Sequence, residues 1–354
     1  MKYLIVQDWP NTRGNHAGME HMCDMLTFKY PDKYRKYVNP EQVRPKSPRN
    51  RIVRLIKKVF DRLCFEDKQI SRYKRICKTM LSNLKFGDEV FLLEYLFNAI
   101  PQYGFALYLR KKYPWLNIYA LSHLSPSYLP KTGITDISVF QWSQPIDKML
   151  TLGSSLSSYF VECGVPSQKV STGFHYVDNN YYRPTYHKEN TKLRGICIGA
   201  LQRNHRLMAE VIGCIPQVEW IVCRGNNTSI DILFEGYSNV QLKGFIDESE
   251  LLAVMDTCDI SLNVMDDTIG SNVITTSMAM GLALVVSDVG SVRDYCTDGN
   301  AIFCDNTKNS FVKGIQSLVE DRGKLSLMKS ESLKLSERFN IAKIDEWFSM
   351  LSST

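Results

Sequence analysis

The sequence predicts an α/β protein of two domains, each built on a parallel β-sheet covered by helices. Short apolar, strand-like runs alternate with helical stretches along the chain, which is typical of parallel sheets with helices on both faces. The length of 354 residues fits about two domains, and a polar stretch at 178–190 separates two halves. Open parallel sheets bind ligands beyond the carboxyl ends of their strands, so two facing sheets predict a cleft between the domains.

The first half is expected to contain five strands. Apolar runs of strand length lie at residues 3–6, 89–93, 118–121, 138–142 and 148–152. Residues 98–112 are predicted to form a helix between two of these strands. A glycine-containing loop, NTRGNHAGME at 11–20, follows the first strand, and glycines let backbone amides approach an anion closely. His123 stands at the end of a strand, at the predicted rim of the cleft.

The second half alternates more regularly. Strands are predicted at residues 194–198, 218–223, 240–243, 260–264, 283–287 and 301–304. Helices are predicted between them at 206–215, 247–256, 272–281, 292–295 and 309–321. Ser271 and Asn272 open one of these helices, and both are good N-caps. The free amides and the dipole at such a helix start favour an anion, although an ordinary capped helix explains the pattern as well.

Composition excludes several classes of protein. The hydrophobic fraction of 44% and the charged fraction of 23% are ordinary for a globular chain, and no run of eighteen apolar residues predicts a spanning helix. The first residues lack the apolar core of a signal peptide. None of the ten cysteines forms a C-x-x-C pair, so we expect free thiols, no metal site and a cytoplasmic protein.

Positive charge is concentrated in one segment. Residues 31–86 hold 17 basic and 5 acidic residues, whereas the net charge of the whole chain is +6. Within this segment, residues 51–64 have apolar side chains at helical spacing opposite Lys and Arg. Two interpretations stay open: a surface helix packed on its own core, or a helix at 49–64 that contacts an anionic membrane. The aromatic residues nearby form no nucleic-acid-binding motif, so no nucleic acid is expected.

Four segments of the second half resemble those of retaining two-domain glycosyltransferases, in the same order. They are VSTGFHYVDNNYYRP at 170–184, IGALQRN at 198–204, VQLKGFIDESELLAVMDTCD at 240–259 and SMAMGLALVVSDVG at 277–290. Together they cover roughly residues 170–320. The family they resemble is the large family 4, the glycosyl transferases group 1, which takes part in bacterial surface-polysaccharide biosynthesis.

This resemblance implies the GT-B fold, in which two Rossmann-like domains face each other across an inter-domain cleft. The implied domains are an acceptor-side domain at 1–180, a nucleotide-sugar-binding domain at 190–335, and a final segment at 336–354. That segment would carry a helix crossing back to the first domain, anchored by Trp347, Phe348 and Leu351.

The resemblance also implies roles for particular residues. Catalytic roles fall to His123, Asp267 and Arg203, and acceptor-side roles to His16 and Glu20. The donor would be bound by Gly14, Gly18, Gly199, Arg203, Arg206, Gly225, Gly244, Phe245, Gly270, Ser271, Asn272, Val273 and Thr276. Arg203 follows a strand and would bind the diphosphate with charge-assisted hydrogen bonds, with Arg206 as its competitor for that role.

One departure from the family pattern concerns the donor sugar. The family carries two glutamates eight positions apart, and the corresponding positions here are Thr268 and Thr276. Asp266 and Asp267 lie just upstream, and either offers a carboxylate to the sugar. This loss leaves open whether transfer retains or inverts the anomeric configuration.

The function expected from these observations is an EC 2.4 glycosyltransferase of hexosyltransferase type. It would move a sugar from a UDP- or GDP-linked donor to a hydroxyl of a glycan or lipid-linked acceptor, without an obligatory metal or other cofactor. Two alternatives stay open: a non-catalytic nucleotide-sugar-binding protein, and a UDP-sugar 2-epimerase of the same fold.

Overall fold

Two parallel β-sheets covered by helices form the described part of the chain. The computed structural model describes residues 1–40, 65–97, 101–185 and 190–352. Each sheet has six strands, all parallel to their neighbours. The predicted α/β fold with two Rossmann-like sheets is therefore confirmed. The helix expected at 51–64 and the membrane contact expected at 49–64 lie outside the described residues.

The first sheet has the spatial order β2-β1-β3-β4-β5-β6. Its strands are β1 (Lys2–Gln7), β2 (Tyr34–Asn39), β3 (Glu89–Tyr95), β4 (Asn117–Ser122), β5 (Lys148–Thr151) and β6 (Val170–Thr172). The helices around it are α1 (Met19–Lys29), α2 (Phe65–Ile76), α3 (Lys78–Asn83), α4 (Tyr103–Lys112), α5 (Asp136–Ser143) and α6 (Ser154–Glu162). Every residue of β1 and β3 is buried, because helices cover both faces of the sheet.

The second sheet has the order β12-β11-β10-β7-β8-β9. Its strands are β7 (Arg194–Ile198), β8 (Glu219–Cys223), β9 (Val240–Lys243), β10 (Ile260–Asn263), β11 (Ala283–Ser287) and β12 (Ala301–Cys304). Its helices are α7 (His205–Gly213), α8 (Glu248–Asp256), α9 (Asn272–Ala279), α10 (Val292–Tyr295), α11 (Lys308–Glu320) and α12 (Arg322–Ser336). The order reverses between β7 and β10, and the crevice at such a point is where doubly wound sheets bind ligands.

One predicted strand is wrong. Residues 138–142 belong to α5, whose N-cap Thr135 accepts a hydrogen bond from the backbone N–H of Ser138 over 3.2 Å. Val139 is buried while Phe140 is 42% exposed, so a single apolar stripe faces the core. The edge strands β2 and β6 were not predicted, because β2 is mostly polar and β6 has only three residues.

The last helix, α13 (Ile341–Met350), packs against the first domain. Trp347, Phe348 and Leu351 are buried in the same core as β1 and β3. The Lys2 ammonium group donates to the carbonyl of Phe348 over 2.9 Å, and the Trp347 indole donates to the Ser171 hydroxyl over 3.0 Å. The chain therefore crosses between the domains twice. Among the described helices, none has both the length and the apolar character needed to cross a bilayer.

Candidate functional site

The carboxyl ends of the two sheets face each other across a cleft. Ser127, in the loop after β4, donates its hydroxyl to the carboxylate of Asp267, in the loop after β10, over 2.6 Å. The side-chain amide of Gln202, which follows β7, donates to the same hydroxyl over 2.7 Å. These contacts join strand-end loops of both domains. The strand-end loops of the two domains, which carry several of the predicted site residues, therefore lie next to each other.

Arg203 lies where the strand order of the second sheet reverses. Its backbone forms an isolated bridge with Met265, which joins the loop after β7 to the loop after β10. Its guanidinium lies beside Gly199 and donates Nε–H to the carbonyl of Ile198 over 3.2 Å. Burial lowers the pKa of Arg203 to about 10, and in the described part of the chain no carboxylate forms an ion pair with it. A half-buried cation without a counter-ion is suited to bind an anion.

Helix α9 follows the loop after β10, which is the loop that the Arg203 backbone bridges. The N-cap Ser271 accepts a hydrogen bond from the backbone N–H of Ile274 over 3.3 Å. Gly270, at φ +87°, packs so tightly on the ring of Tyr295 that a Cβ would lie 2.1 Å from a ring carbon. A side chain there would displace the helix start. The amides of the first turn carry partial positive charge, and they belong to the predicted donor-binding residues Asn272 and Val273.

A group of side chains behind this helix start was not predicted. His175, in the linker between the domains, donates its backbone N–H to the Tyr295 hydroxyl over 2.9 Å. That hydroxyl donates to the carbonyl of Leu152 in the first domain. Burial lowers the pKa of His175 to about 3. Hydrogen bonds of its ring with the Asn272 side chain and the Gly270 backbone act in the opposite direction, but their effect on the pKa is smaller. The only hint of this group in the sequence was the presence of a histidine, His175, inside the linker segment.

On the opposite wall, His123 follows β4. Its Nε2 lies 2.5 Å from the carbonyl oxygen of Leu93, and a carbonyl only accepts, so Nε2 carries a proton. The carboxyl group of Glu94 lies 3.8 Å from the same nitrogen and accepts the Trp9 indole N–H over 3.2 Å. Burial raises the pKa of Glu94. Glu94 and Trp9 were not predicted, because Glu94 stands inside an apolar strand.

The glycine-containing loop after β1 reaches the second domain through His16. The backbone N–H of His16 donates to Oε1 of Glu248 over 2.7 Å, and its Nδ1 lies 2.6 Å from Oε2. The Tyr182 hydroxyl donates to the same carboxylate, and Tyr181 stacks on the His16 ring at 3.6 Å between centroids. His16 therefore joins the two domains.

The two predicted glycines of this loop differ in their surroundings. Gly14 has φ +77°, and a Cβ there would meet no atom within 4 Å, so its backbone is open to a ligand. Gly18 is the N-cap of α1, and a Cβ there would lie 2.9 Å from the carbonyl oxygen of Asn15. Gly18 thus shapes the loop, while Gly14 is the accessible residue.

Hydroxyls occupy the positions where the resemblance expects glutamates. Thr268 donates to the carbonyl of Gly270 over 3.1 Å, and Thr276 donates to the carbonyl of Asn272 over 2.7 Å. Both threonines are buried. Asp267, held by Ser127, lies in the cleft.

Three further predicted donor-binding positions follow consecutive strands of the second sheet. Gly199 follows β7, Gly225 follows β8, and Gly244 with Phe245 follows β9. The Phe245 side chain is 59% exposed. These residues lie along the carboxyl edge of the sheet, on the side away from β10, and their contacts with a donor stay predictions.

Two predicted residues do not join this group. The side chain of Arg206 is 85% exposed and pairs with Glu210 of its own helix at 3.4 Å. Glu20, in the first turn of α1, pairs with Lys36 at 3.4 Å. Neither makes a contact with Arg203, His123 or the start of α9 in the structure. Within residues 1–40, 65–97, 101–185 and 190–352, no three metal-ligating side chains cluster closely enough to hold a metal ion.

Two facing Rossmann-like sheets, with a terminal helix returned to the first, define the GT-B class of fold. Residues 193–321, most of the second domain, match the family model described as glycosyl transferases group 1. The fold and this match together support a glycosyltransferase. Among curated proteins none matches the sequence.

Solved structures with the same fold cover the whole chain at low identity. Anabaena Alr3699/HepE, in complex with UDP and glucose, aligns at a TM-score of 0.69 and 14% identity over 100% of both chains. Sucrose-phosphate synthase from Thermosynechococcus elongatus aligns at 0.71 and 10% identity, again over 100% of both. The lipopolysaccharide outer core galactosyltransferase WaaB aligns at 0.69 and 13% identity over 99% of both.

Proposed function

We propose that this protein transfers a sugar from a nucleoside diphosphate donor to a hydroxyl group of a glycan or lipid-linked acceptor. The match of the second domain to the glycosyl transferases group 1 supports the class of reaction. Similarity to a protein solved with UDP and glucose supports a nucleotide sugar as the donor. The donor would lie along the carboxyl edge of the second sheet, and the acceptor would approach from the first domain.

The main support for this proposal is the position of the Arg203 guanidinium, which has no counter-ion among the described residues. It is half-buried at the point where the strand order reverses, and its pKa is lowered to about 10 because burial disfavours its charge. A diphosphate would supply the missing negative charge, and each charge-assisted hydrogen bond contributes about 1.5–3 kcal/mol. The first-turn amides of α9 would bind the same leaving group.

The remaining chemistry is assigned to the cleft's other residues. The leaving diphosphate gains charge in the transition state, so fixed positive groups at Arg203 and α9 stabilise that state more than the bound donor. His123 would contact the donor sugar near the reacting carbon, and Asp267 would accept from a sugar hydroxyl. We propose retention of the anomeric configuration on the strength of the family resemblance, and NMR of the product's anomeric proton tests it.

We further propose that transfer needs no metal ion, because the protein's own cations would neutralise the diphosphate. Transfer is expected to proceed at an unchanged rate after EDTA treatment and dialysis. A loss of activity that Mg²⁺ or Mn²⁺ restores would contradict this. The protein would work in the cytoplasm, on the inner face of the membrane where its acceptor is lipid-linked.

A screen of nucleoside diphosphate sugars by thermal shift tests donor binding, since a ligand that binds only the folded state raises the melting temperature. The expected result is a rise with one base and sugar. Arg203→Ala is expected to weaken binding of that donor about tenfold or more. Arg322→Ala, an exposed arginine on α12, is the matched control and keeps wild-type affinity. No shift with any nucleotide sugar would overturn the proposal.

A second candidate is nucleotide-sugar binding without transfer. The observation that favours it is the pair Thr268 and Thr276, whose hydroxyls donate to backbone carbonyls of their own segment and bring no charge to the sugar. Donor binding without transfer or donor hydrolysis would support this candidate. Release of an epimerised sugar from the donor alone would instead identify a 2-epimerase.

A further inference from the structure

Two turns at the amino edge of the first sheet present aromatic side chains next to each other. Phe86 precedes β3 and is 88% exposed, and Trp115 precedes β4 and is 36% exposed. Their ring centroids are 6.3 Å apart. This edge lies opposite the carboxyl ends that form the cleft, so the pair does not belong to the site described above.

Both turns are held by backbone hydrogen bonds. The N–H of Asp88 donates to the carbonyl of Lys85 over 3.0 Å, and Gly87 between them has φ +88°. In the second turn, the N–H of Leu116 donates to the carbonyl of Tyr113 over 3.0 Å. Because the backbone is fixed, Phe86 and Trp115 stay exposed to water in the folded protein. Contact of their apolar rings with water is unfavourable, and a partner that covered them would remove this cost.

Lysines surround this aromatic pair. Lys85, Lys111 and Lys112 are exposed beside the two turns. Lys112 lies 5.2 Å from the ring centroid of Tyr113, which is itself 5.9 Å from Trp115. The patch continues over α2 and α4, because Lys74 lies 4.0 Å from the ring of Tyr108.

The chain segments around this surface are mostly positive. Residues 65–86 and 101–116 together hold nine lysines and arginines and two acidic residues. Exposed Trp and Phe beside lysines match the interface of an anionic bilayer, where aromatic rings enter the headgroup region and ammonium groups pair with phosphates. An acidic protein surface would also pair with the lysines, but it would need a pocket shaped to fit the two aromatic rings, whereas the fluid headgroup region accepts such rings without a preformed pocket.

We propose that Phe86, Trp115, Lys85, Lys111 and Lys112 form a docking surface for an anionic membrane. None of these five residues belongs to the segment 49–64. The docking surface would hold the protein to the bilayer by the first domain. The proposal stands apart from sugar transfer, because none of these residues lies at the cleft.

Co-sedimentation with vesicles tests it. The full chain is expected to bind vesicles of phosphatidylcholine mixed with phosphatidylglycerol, to ignore pure phosphatidylcholine vesicles, and to be released by salt. Phe86→Ser with Trp115→Ser, and separately Lys111→Glu with Lys112→Glu, should each weaken binding about tenfold or more. The matched controls are Phe28→Ser, at a side chain 81% exposed on α1, and Lys324→Glu with Lys334→Glu on α12. Both controls should bind like the wild type.

The outcomes separate clearly. The proposal would be overturned if the control substitutions weakened vesicle binding as much as the patch substitutions do. It would also be overturned if the aromatic substitutions left vesicle binding unchanged, or if the protein bound oligonucleotides and not vesicles. If a variant fails to fold, hydrogen exchange on the wild-type protein decides, since vesicles should protect the amides of 85–87 and 111–116. The patch variants should transfer sugar to a soluble acceptor at the wild-type rate. If vesicle binding is not observed, the proposed function is therefore not affected.

Discussion

At the scale of single residues, the cleft depends on a few side chains that make contacts in both domains. Tyr295 is the clearest case, because its hydroxyl accepts from the linker at His175 and donates to Leu152. Its ring also sets the position of Gly270 at the start of α9. One buried side chain therefore links the linker, the first domain and the proposed diphosphate site.

Tyr295→Phe keeps the ring and removes only the hydroxyl. The backbone N–H of His175 then loses its partner, so we expect the free energy of unfolding to fall by about 1–3 kcal/mol, as urea denaturation would measure. An unchanged midpoint would show that water replaces the hydroxyl without cost.

His175 gives a prediction about acid stability. Its pKa is lowered to about 3, because burial disfavours the charged ring, whereas the unfolded chain has an ordinary histidine pKa of about 6.5. The unfolded state therefore binds a proton first as the pH falls. The stability that His175 contributes is present above pH about 6.5 and is lost progressively toward pH about 3. His175→Asn should flatten this part of the stability curve, measured by denaturation at several pH values. An identical slope in both proteins would contradict it.

At the scale of elements, the start of α9 is predicted to serve both stability and binding. Ser271→Ala removes an N-cap and should cost about 1 kcal/mol in unfolding free energy. Because the same first turn would bind the diphosphate, donor affinity should also fall, as calorimetry would measure.

Thr307→Ala is the matched control, since Thr307 caps α11 in the same way by accepting from the N–H of Ser310 over 3.3 Å. It should cost similar stability and leave donor affinity unchanged. Equal losses of affinity in the two variants would remove α9 from the donor site.

Elements with a strong pattern were predictable from the sequence. The six strands of the second sheet were all predicted, because their apolar runs are bounded by polar or glycine residues. Residues 138–142 were misassigned, since an apolar run of five residues fits a strand or a helix stripe equally well. Strand β2 was missed because its mostly polar sequence has only Tyr34 and Asn39 buried.

Candidate site residues could be predicted from the sequence only where a suitable residue type comes shortly after a predicted strand. Arg203 and His123 both come shortly after strands, and in the structure both lie in loops at the carboxyl ends of those strands. Their roles in donor binding stay predictions. The sequence analysis missed Glu94, His175 and Tyr295. Their partners are distant in sequence, and a contact of that kind leaves no local sequence pattern. Arg206 shows the converse, because it lies in the first turn of α7 with its side chain in solvent, where it pairs with Glu210.

At the scale of the whole molecule, the two domains are joined by hydrogen bonds between loops as well as by the linker and α13. The carboxylate of Glu248, in the second domain, accepts two hydrogen bonds from His16 of the first domain. Glu248→Ala should therefore widen the distribution of inter-domain distances, which a pair of spin labels or small-angle scattering would measure.

Glu250→Ala is the control for that experiment. Glu250 lies on the same helix but pairs with Lys243 inside the second domain at 2.7 Å. The control should keep the wild-type distribution. If Glu248→Ala also keeps it, the contact with His16 does not hold the domains together.

In the proposed function, the Arg203 guanidinium binds the diphosphate of the donor. Calorimetric titration of wild type and Arg203→Ala with a nucleoside diphosphate and with the parent nucleoside tests it most directly. The wild type should bind the diphosphate far more tightly than the nucleoside, and Arg203→Ala should lose about tenfold or more of that advantage while binding the nucleoside equally well. A variant that keeps the full preference for the diphosphate would show that Arg203 does not bind it.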